Sequence, residues 1–346
     1  MTKIRIGVIG AGNIAETAHI PAYLKHEDKV EVAAVCNTSI DKAKRVADKF
    51  GIPKAYGSYK EMLEQCDLDA VSVCVTNKFH ADATVDALNA GCHVLCEKPP
   101  AMNYGEMLAM YEAAVKNSRL LTFNFNYRHS REVKALKAMI DKGSLGDIYA
   151  ARVQALRRRG IPGWGSFINK ELQGGGPLID IGVHMLDTAL YLMGYPEPEY
   201  VAAGTHQRLG NKPGVGLMGQ WDHKSFTVED SAFGFIRFKN GATLNLETSF
   251  ALNMKEASIM NVHLFGDRAG ASVFPLQVYS ETDTALTDTD FPYLESYNNW
   301  EESISNFVDS CFYGRQPLCR AEEGLIIQKL LDAMYKSAET GQPVVL

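Results

Sequence analysis

The chain has 346 residues, of which 46% are hydrophobic and 22% charged, which is ordinary for a folded protein and gives roughly two domains by length. A formal net charge of -6 argues against nucleic acid or an anionic membrane as a partner, because both require clustered positive charge. The seven cysteines lack a disulfide-framework spacing, and no apolar run is long enough to span a membrane, so we expect a cytoplasmic protein.

The start of the chain joins a short apolar run, residues 4–9, directly to a glycine-rich turn. This order predicts a strand, a tight turn and the beginning of a helix. Gly10 closes the turn, Gly12 lets backbone N–H groups approach a pyrophosphate, and the small Ala15 lets the helix pack close to the strand. The residues expected to contact a dinucleotide in this turn are Gly10, Gly12, Asn13, Ile14 and Ala15.

Strand and helix patterns then alternate through the first third of the chain. Further strands are predicted at 29–36, 69–75, 92–96 and 120–125, and helices at 14–26, 40–50, 58–65, 79–90 and 103–116. Such alternation predicts right-handed crossovers and an open, doubly wound parallel sheet. We therefore predict an α/β protein whose residues 1–125 form a dinucleotide-binding Rossmann domain.

Beyond residue 125 the pattern changes. Helices are predicted at 131–142, 178–191, 299–312 and 321–340, and extended runs at 148–156, 199–206, 228–239, 242–251 and 258–265. Asn240-Gly241 lies between two of these runs and predicts a hairpin with a type I′ turn. Residues 126–346 are thus predicted to form an α+β domain with a mostly antiparallel sheet.

The end of the second predicted strand reads Cys36-Asn37-Thr38. A dinucleotide-binding fold usually places an acidic residue there for the adenosine ribose. Here the side chain of Asn37 is neutral. A carboxylate would repel the 2′-phosphate of NADP, but Asn37 does not. Asn37 and Thr38 are therefore expected to contact the cofactor and to permit NADP without requiring it, which leaves NAD and NADP open.

Glu97-Lys98-Pro99-Pro100 follows a predicted parallel strand, at the edge where open α/β sheets bind ligands. An isolated lysine is most often a surface residue, but this position favours a functional one. A partly buried ammonium beside a nicotinamide cation loses its proton more readily than usual, which suits acid–base work on an alcohol.

A third cluster follows the glycine-rich stretch 174–177. On a helix, Asp180 and His184 are four residues apart and share a face with Asp187 and Tyr191. A solvent-exposed face would explain a polar stripe equally well. These residues are short and proton-active, however, and a carboxylate beside His184 would orient the imidazole and stabilise its charged form, as in a general base.

Two other groups are expected to be structural. Cys92, His93 and Cys96 lie in one apolar strand and alternate between its faces, so we predict core packing and no metal site. The run 157–159 holds three arginines, but neighbours in a strand point in opposite directions, so the run forms no compact anion site.

Together these motifs resemble the glucose-fructose oxidoreductase and inositol dehydrogenase family, Gfo/Idh/MocA, along essentially the whole chain. The motifs are Gly10-x-Gly12-x-x-Ala15, Asn77-x-x-His80, Glu97-Lys98-Pro99, Gly174-Gly-Gly-x-Leu178-x-Asp180-x-Gly-x-His184-x-x-Asp187 and Tyr335-x-Ser337-Ala338-x-x-Gly341. The resemblance implies a Rossmann domain followed by a domain, residues 126–346, that binds the substrate and has an open-faced sheet. Members of the family often bury that face in a dimer or tetramer. It also implies pyridine-nucleotide-dependent oxidation or reduction at a secondary alcohol of a sugar, inositol or related polyol.

The resemblance also assigns site residues. Lys98, Asp180 and His184 match the family's catalytic group, and the further cofactor contacts would be Thr76, Asn77, His80, Glu97 and Lys98. The usual Thr-Pro-Asn reads Val75-Thr76-Asn77 here, and Asn37 stands where many members have aspartate. Both departures concern the cofactor rather than the proposed chemistry.

Our hypothesis is hydride transfer between a nicotinamide and a carbinol carbon, with the substrate contacted by Lys98, Arg128, Trp164, Asp180 and His184. Lys98 and His184 would share the proton transfer, and the sequence leaves open which of them is the base. Two alternatives stay open. One is redox-assisted glycoside cleavage or elimination with tightly bound NAD, and the other is a non-catalytic sugar or nucleotide sensor.

Overall fold

The computed structural model describes residues 2–346 and divides into two compact units. The first unit extends to Asn126 and includes Asn298–Gln328, and the second comprises Tyr127–Tyr297 and Lys329–Leu346. The chain therefore returns to the first unit near its end. The division at residue 125 stays a prediction about the limits of the folding domains.

The first unit contains a six-stranded parallel sheet with strand order β3-β2-β1-β4-β5-β6. Its strands are β1 (Ile4–Ile9), β2 (Val30–Cys36), β3 (Lys54–Tyr56), β4 (Ala70–Val73), β5 (His93–Cys96) and β6 (Leu121–Phe123). The predicted doubly wound α/β architecture is confirmed. The sequence prediction omitted β3, because three residues with no fully buried side chain carry no periodic signal.

Helices connect these strands. They are α1 (Ile20–Leu24), α2 (Ile40–Phe50), α3 (Tyr59–Gln65), α4 (His80–Asn89) and α5 (Tyr104–Asn117). A π-helical segment, Ala15–His19, runs directly into α1, where the sequence predicted one regular helix. The positive φ of Gly51 ends α2 in the left-handed conformation that a helix C-terminus favours.

The second unit is built on a nine-stranded sheet of order β14-β13-β12-β11-β7-β10-β9-β8-β15. Its strands are β7 (Ile148–Arg157), β8 (Pro198–His206), β9 (Ser231–Phe238), β10 (Thr243–Ser249), β11 (Ser258–Gly266), β12 (Ala269–Ser272), β13 (Gln277–Thr282), β14 (Ala285–Asp290) and β15 (Val344–Val345). Strands β7 and β10 pair in parallel, and the other pairs are antiparallel. The predicted mostly antiparallel sheet is confirmed, although β12 to β15 were not predicted, because these short strands lack alternating apolar residues.

The hairpin between β9 and β10 is confirmed, but its predicted turn type is wrong. A type I′ turn needs positive φ at both central residues, and Gly241 has a φ of 89° while Asn240 is not in that region. Instead, Phe238 N–H donates to Ala242 O, and Asn240 Oδ1 accepts the Ala242 N–H. The asparagine side chain therefore stabilises a longer turn.

Helices α6 (Arg131–Asp141), α7 (Lys170–Gln173) and α8 (Val183–Met193) belong to the second unit. The helix predicted from residue 178 begins as a π-helical segment, Leu178–Gly182, before α8. Pro177, just before this segment, has no N–H to leave unsatisfied at the helix start. At the end of the segment, a Cβ on Gly182 would lie 3.2 Å from Pro177 O, so a side chain there would crowd the turn.

Two long helices close the chain, α9 (Asn299–Tyr313) and α10 (Ala321–Thr340). Helix α9 packs on α1 and adds Ile304, Phe307 and Val308 to a buried cluster that contains Ile20 and Tyr23. The core of the first unit therefore depends on a segment almost 300 positions further along the chain. No helix within residues 2–346 is long and apolar enough to cross a membrane.

Candidate active site

The glycine-rich turn after β1 holds two glycines for different reasons. Gly10 has a φ of 99°, and a Cβ there would lie 2.4 Å from Cys74 O, so the turn itself excludes a side chain. A Cβ on Gly12 would meet no atom of the described residues within 4 Å. The turn thus leaves open space beside Gly12, where the sequence predicts a pyrophosphate, and the residues present fit that group.

The helical segment after the turn is anchored in the core. Ala15 is buried, as its predicted close packing requires, and the Glu16 N–H donates to Gly12 O. Asn13 and Ile14 form the first helical residues. The predicted helix start at the turn is therefore present, with its N-terminus close to the open space.

Asn37 directly follows β2, and both the oxygen and the nitrogen of its side-chain amide form hydrogen bonds with backbone groups. Its Oδ1 accepts the Ala11 N–H at 3.3 Å, and its Nδ2 donates to Ser39 O at 3.4 Å. An aspartate could accept the first of these bonds but could not donate the second. Thr38 is exposed beside it. The structure thus gives Asn37 a role in shaping the turn and leaves NAD and NADP open.

Glu97, at the end of β5, is a buried carboxylate with three donors. Its Oε1 faces His19 Nε2 at 2.7 Å and Asn124 Nδ2 at 2.6 Å, and its Oε2 accepts the Lys98 N–H at 3.3 Å. Burial alone would raise the pKa of Glu97, but the hydrogen bond and charge of His19, with the Asn124 amide, hold it below its ordinary value. The backbone of Lys98 is thus held by a charged neighbour.

His19 connects Glu97 to a longer buried chain of hydrogen bonds. His19 Nδ1 lies 3.0 Å from Ser72 Oγ, which in turn lies 2.6 Å from the Tyr23 hydroxyl. All three side chains are completely buried. Because a carboxylate only accepts, His19 donates to Glu97 through Nε2. Sequence reasoning missed His19, whose signal was a lone histidine inside an apolar run.

His80 packs against the segment that follows β5, residues 97–99. Its Nδ1 is 2.9 Å from Pro99 O and its Nε2 is 3.0 Å from Val75 O, so the ring lies between these two carbonyls, and a neutral imidazole donates its one N–H to only one of them. Burial lowers the pKa of His80. Asn77 is buried nearby in a 3₁₀ turn that follows Thr76. The predicted cofactor contacts of Thr76, Asn77 and His80 stay predictions.

In the second unit, Asp180 lies in the π-helical segment and His184 at the start of α8. The Asp180 N–H donates to Gly176 O at 3.0 Å, which fixes the first turn. The edge of the His184 ring meets Tyr127, with ring centroids 5.2 Å apart, and Tyr127 in turn packs on Phe274. Tyr127 and Phe274 therefore form an aromatic wall beside the imidazole, and no local sequence pattern predicted it.

The two predicted substrate residues of this unit differ in exposure. Trp164 is 55% exposed, so its indole face is available to a ligand. Arg128 is completely buried, and its guanidinium is held by Asp187 and Tyr195 and lies over the Tyr191 ring. The geometry therefore gives Arg128 a structural task, while its predicted contact with substrate stays a prediction.

Cys92 and Cys96, whose strand the sequence assigned to the core, are buried, and the Cys92 thiol donates to Leu68 O. Burial raises the pKa of Cys92 to about 11. The seven cysteines are thiols rather than disulfides. Within residues 2–346, no group of three His, Cys, Asp or Glu side chains is arranged to hold a metal ion.

Comparison with known proteins defines the class. The family described as "Oxidoreductase family, NAD-binding Rossmann fold" matches residues 4–125, and its "C-terminal alpha/beta domain" matches residues 137–346. The chain therefore belongs to the Gfo/Idh/MocA family of oxidoreductases. This membership confirms the function class expected from the sequence, an NAD(P)-dependent oxidoreductase that transfers a hydride between nicotinamide and a secondary alcohol or ketone of a sugar or polyol.

Among curated relatives, the chain is 43% identical to the D-glucoside 3-dehydrogenase of Escherichia coli strain K12 over 345 residues, which cover 100% of this chain and 98% of the relative. It is 28% identical to the myo-inositol 2-dehydrogenase of Thermotoga maritima, over 99% of this chain and 98% of the relative. A solved structure of levoglucosan dehydrogenase in complex with NADH and levoglucosan shares the fold, with a TM-score of 0.86, 23% identity and 99% coverage of both chains.

Proposed function

We propose that this oxidoreductase acts on D-glucosides and transfers the hydride at carbon 3 of the sugar ring. The observation that carries this proposal is the 43% identity, along the whole chain, to the D-glucoside 3-dehydrogenase of E. coli. The more distant relatives act by name on inositol and other sugars, so they support the polyol chemistry but not the position on the ring.

Lys98, Asp180 and His184 are the proposed catalytic residues. Lys98 and His184 share the transfer of the hydroxyl proton, and Asp180 orients His184 and a substrate hydroxyl. Support comes from each unit separately. The Lys98 N–H is held by the Glu97 carboxylate, and Asp180 lies in a first turn fixed by its bond to Gly176 O. Which of Lys98 and His184 is the base stays open.

NAD or NADP, when bound, accepts or supplies the hydride. The turn residues Gly10, Gly12 and Asn13 would hold its pyrophosphate, and Asn37 with Thr38 would lie at the adenosine ribose. The open space beside Gly12 supports this assignment. Trp164 would offer its exposed ring face to a sugar.

The outer face of the second unit's sheet is the proposed oligomer interface. It exposes Phe233, Phe265 and Tyr279, which alternate along their strands with residues buried on the inner face. Light scattering of the purified protein tests this, and a monomer at all concentrations would contradict it. We also propose a cytoplasmic location, which the seven thiols support.

The test of the function uses a methyl glucoside deuterated at carbon 3, with NAD and NADP in parallel reactions. Transfer of deuterium to the nicotinamide, together with a ketone at carbon 3 in the product, is the expected result. A glucoside deuterated at carbon 4 is the matched control and is expected to transfer none. Transfer from the control, or turnover of free inositol with no turnover of glucosides, would contradict the proposal.

The same reactions examine redox-assisted cleavage. Release of the free sugar and methanol, with nicotinamide unchanged at the end and NAD(H) liberated from the denatured protein, would identify that reaction instead. Ordinary dehydrogenation accumulates reduced nicotinamide in proportion to the ketone. A sensor would bind the glucoside and produce neither.

A further inference from the structure

The glycine-rich loop before Asp180 is packed directly against two residues that are distant in the sequence. A Cβ on Gly175 would lie 2.0 Å from the Tyr335 hydroxyl, and a Cβ on Gly176 would lie 2.2 Å from Glu229 O. Such distances leave no room for a side chain at either position. Two of the glycines are therefore required by contact with Glu229 and Tyr335.

The Glu229 carboxylate accepts three hydrogen bonds at this contact. Its Oε2 accepts the Gly176 N–H at 2.9 Å, and its Oε1 accepts the Leu178 N–H at 3.2 Å and the Tyr335 hydroxyl at 2.9 Å. Glu229 is only 9% exposed. Because the first N–H groups of a helix have no partner within it, this carboxylate satisfies two donors at the N-terminus of the helical segment that carries Asp180.

The loop held by Glu229 is also hydrogen-bonded to Asp180. Gly176, whose N–H is held by Glu229, accepts the Asp180 N–H through its carbonyl at 3.0 Å. Pro177 O is held by the Thr248 hydroxyl at 3.0 Å. His184 follows within the same helical stretch, four residues after Asp180. Glu229 therefore helps to hold the turn that carries Asp180 and leads into His184.

We propose that Glu229, supported by the Tyr335 hydroxyl, is a positioning residue that holds Asp180 and His184 in the geometry needed for proton transfer. The inference rests on the proposed function, because it takes Asp180 and His184 as catalytic. Glu229 itself has no role in the chemistry. Burial and the neighbouring Glu229 raise the pKa of Tyr335, so the phenol stays protonated and donates to the carboxylate.

The next residue in the chain is a natural control. Asp230 is 1% exposed, and its Oδ2 accepts the N–H groups of Arg208 at 2.6 Å, Leu209 at 2.5 Å and Gly210 at 2.8 Å. It is therefore a second buried carboxylate that holds a backbone segment, but the segment is the loop after β8. Glu229→Gln and Asp230→Asn remove the same kind of charge from adjacent positions.

The experiment compares E229Q, D230N, Y335F and H184A in the full-length protein. Hydrogen–deuterium exchange is measured by mass spectrometry on peptides covering 174–184 and 207–211, and kcat and KM are measured with the glucoside. In E229Q, an amide NH₂ replaces one accepting oxygen, so we expect faster exchange in 174–184 and a kcat lower by about 10- to 100-fold, with the Kd for NAD unchanged.

D230N is expected to show the reverse pattern, faster exchange in 207–211 with kcat within about threefold of the wild type. Y335F keeps the carboxylate and both N–H bonds, so its kcat is expected to fall less than that of E229Q. Y335F also tests the contact should E229Q fail to fold, because an unchanged kcat and unchanged exchange in 174–184 would then overturn the proposal.

An equal loss of kcat in E229Q and D230N would overturn the positioning role, because any lost buried carboxylate would then have the same effect. Wild-type kcat in E229Q with an inactive H184A would overturn it as well and leave the proposed function standing. An active H184A would instead contradict the catalytic role proposed for His184. The exchange data would still report whether Glu229 holds the loop.

Discussion

Arg128 and Asp187 form a bidentate ion pair inside the second unit, with Arg128 Nε 2.8 Å from Asp187 Oδ2 and Nη2 2.5 Å from Oδ1. Neither side chain exposes any surface. Asp187 lies on α8, three residues after His184, and Arg128 lies in the turn Asn126–His129 that carries Tyr127. The ion pair therefore holds α8, which carries His184, against the turn that carries Tyr127 of the aromatic wall.

Replacing Arg128 with methionine is expected to lower the free energy of unfolding by about 3–5 kcal/mol, because Asp187 would remain as a buried charge without its guanidinium. Urea denaturation measures this. The double variant R128M/D187N removes the stranded charge and should recover part of the loss. Near-wild-type stability of R128M combined with a large rise in KM for the sugar would instead show that Arg128 contacts the substrate.

Gly10→Ala and Gly12→Ala are expected to fail in different ways. The first places a Cβ against Cys74 O at a positive φ, so we expect a lower Tm. The second places a Cβ in open space, so the Tm should stay near that of the wild type, while the affinity for NAD falls because the methyl group occupies the space beside the proposed pyrophosphate site. Calorimetry with and without cofactor separates the two, and a G12A protein that binds NAD normally would contradict the site.

Lys98→Ala is expected to lower kcat by about 10²- to 10⁴-fold while leaving the Kd for the cofactor nearly unchanged, because the side chain is proposed to act on the hydroxyl proton. Lys98→Arg is the matched control. Arginine keeps the positive charge but does not deprotonate, so it should be as inactive as alanine if Lys98 transfers the proton. Substantial activity in K98R would assign Lys98 an electrostatic role, and near-normal turnover in K98A would remove it from the mechanism.

His19→Leu is expected to destabilise the first unit in a pH-dependent way. The pKa of Glu97 lies below its ordinary value in the folded protein, so the carboxylate contributes stability that is present above that ordinary value and is lost as the pH falls through the folded pKa. Without His19, burial would raise the pKa of Glu97. We expect H19L to lose about 3 kcal/mol at neutral pH and progressively less in acid. Urea denaturation at a series of pH values, from neutral into acid, measures the difference in the free energy of unfolding between H19L and the wild type. A loss that is constant with pH would contradict the assignment.

Elements with a strong local signal were predictable from the sequence. Helices α2 and α10 have the predicted bounds, because regular apolar spacing is followed by a glycine, Gly51 and Gly341, that adopts positive φ. The turn at Gly10 and Gly12 was predictable for the same reason, since the constraint lies in the residues themselves. Strands β12 and β14 were not, because their residues form strands only through pairing with neighbours.

The family, the parallel sheet and the residues on which the proposed chemistry depends could be predicted from the sequence alone, because motifs such as Glu97-Lys98-Pro99 are local. The contacts that hold those residues became visible only in the folded chain. His19 is 78 positions from Glu97, and Glu229 is 53 positions from Gly176 and 106 from Tyr335. A buried carboxylate takes its donors from whichever segments the fold brings within about 3 Å, and no local pattern encodes that choice.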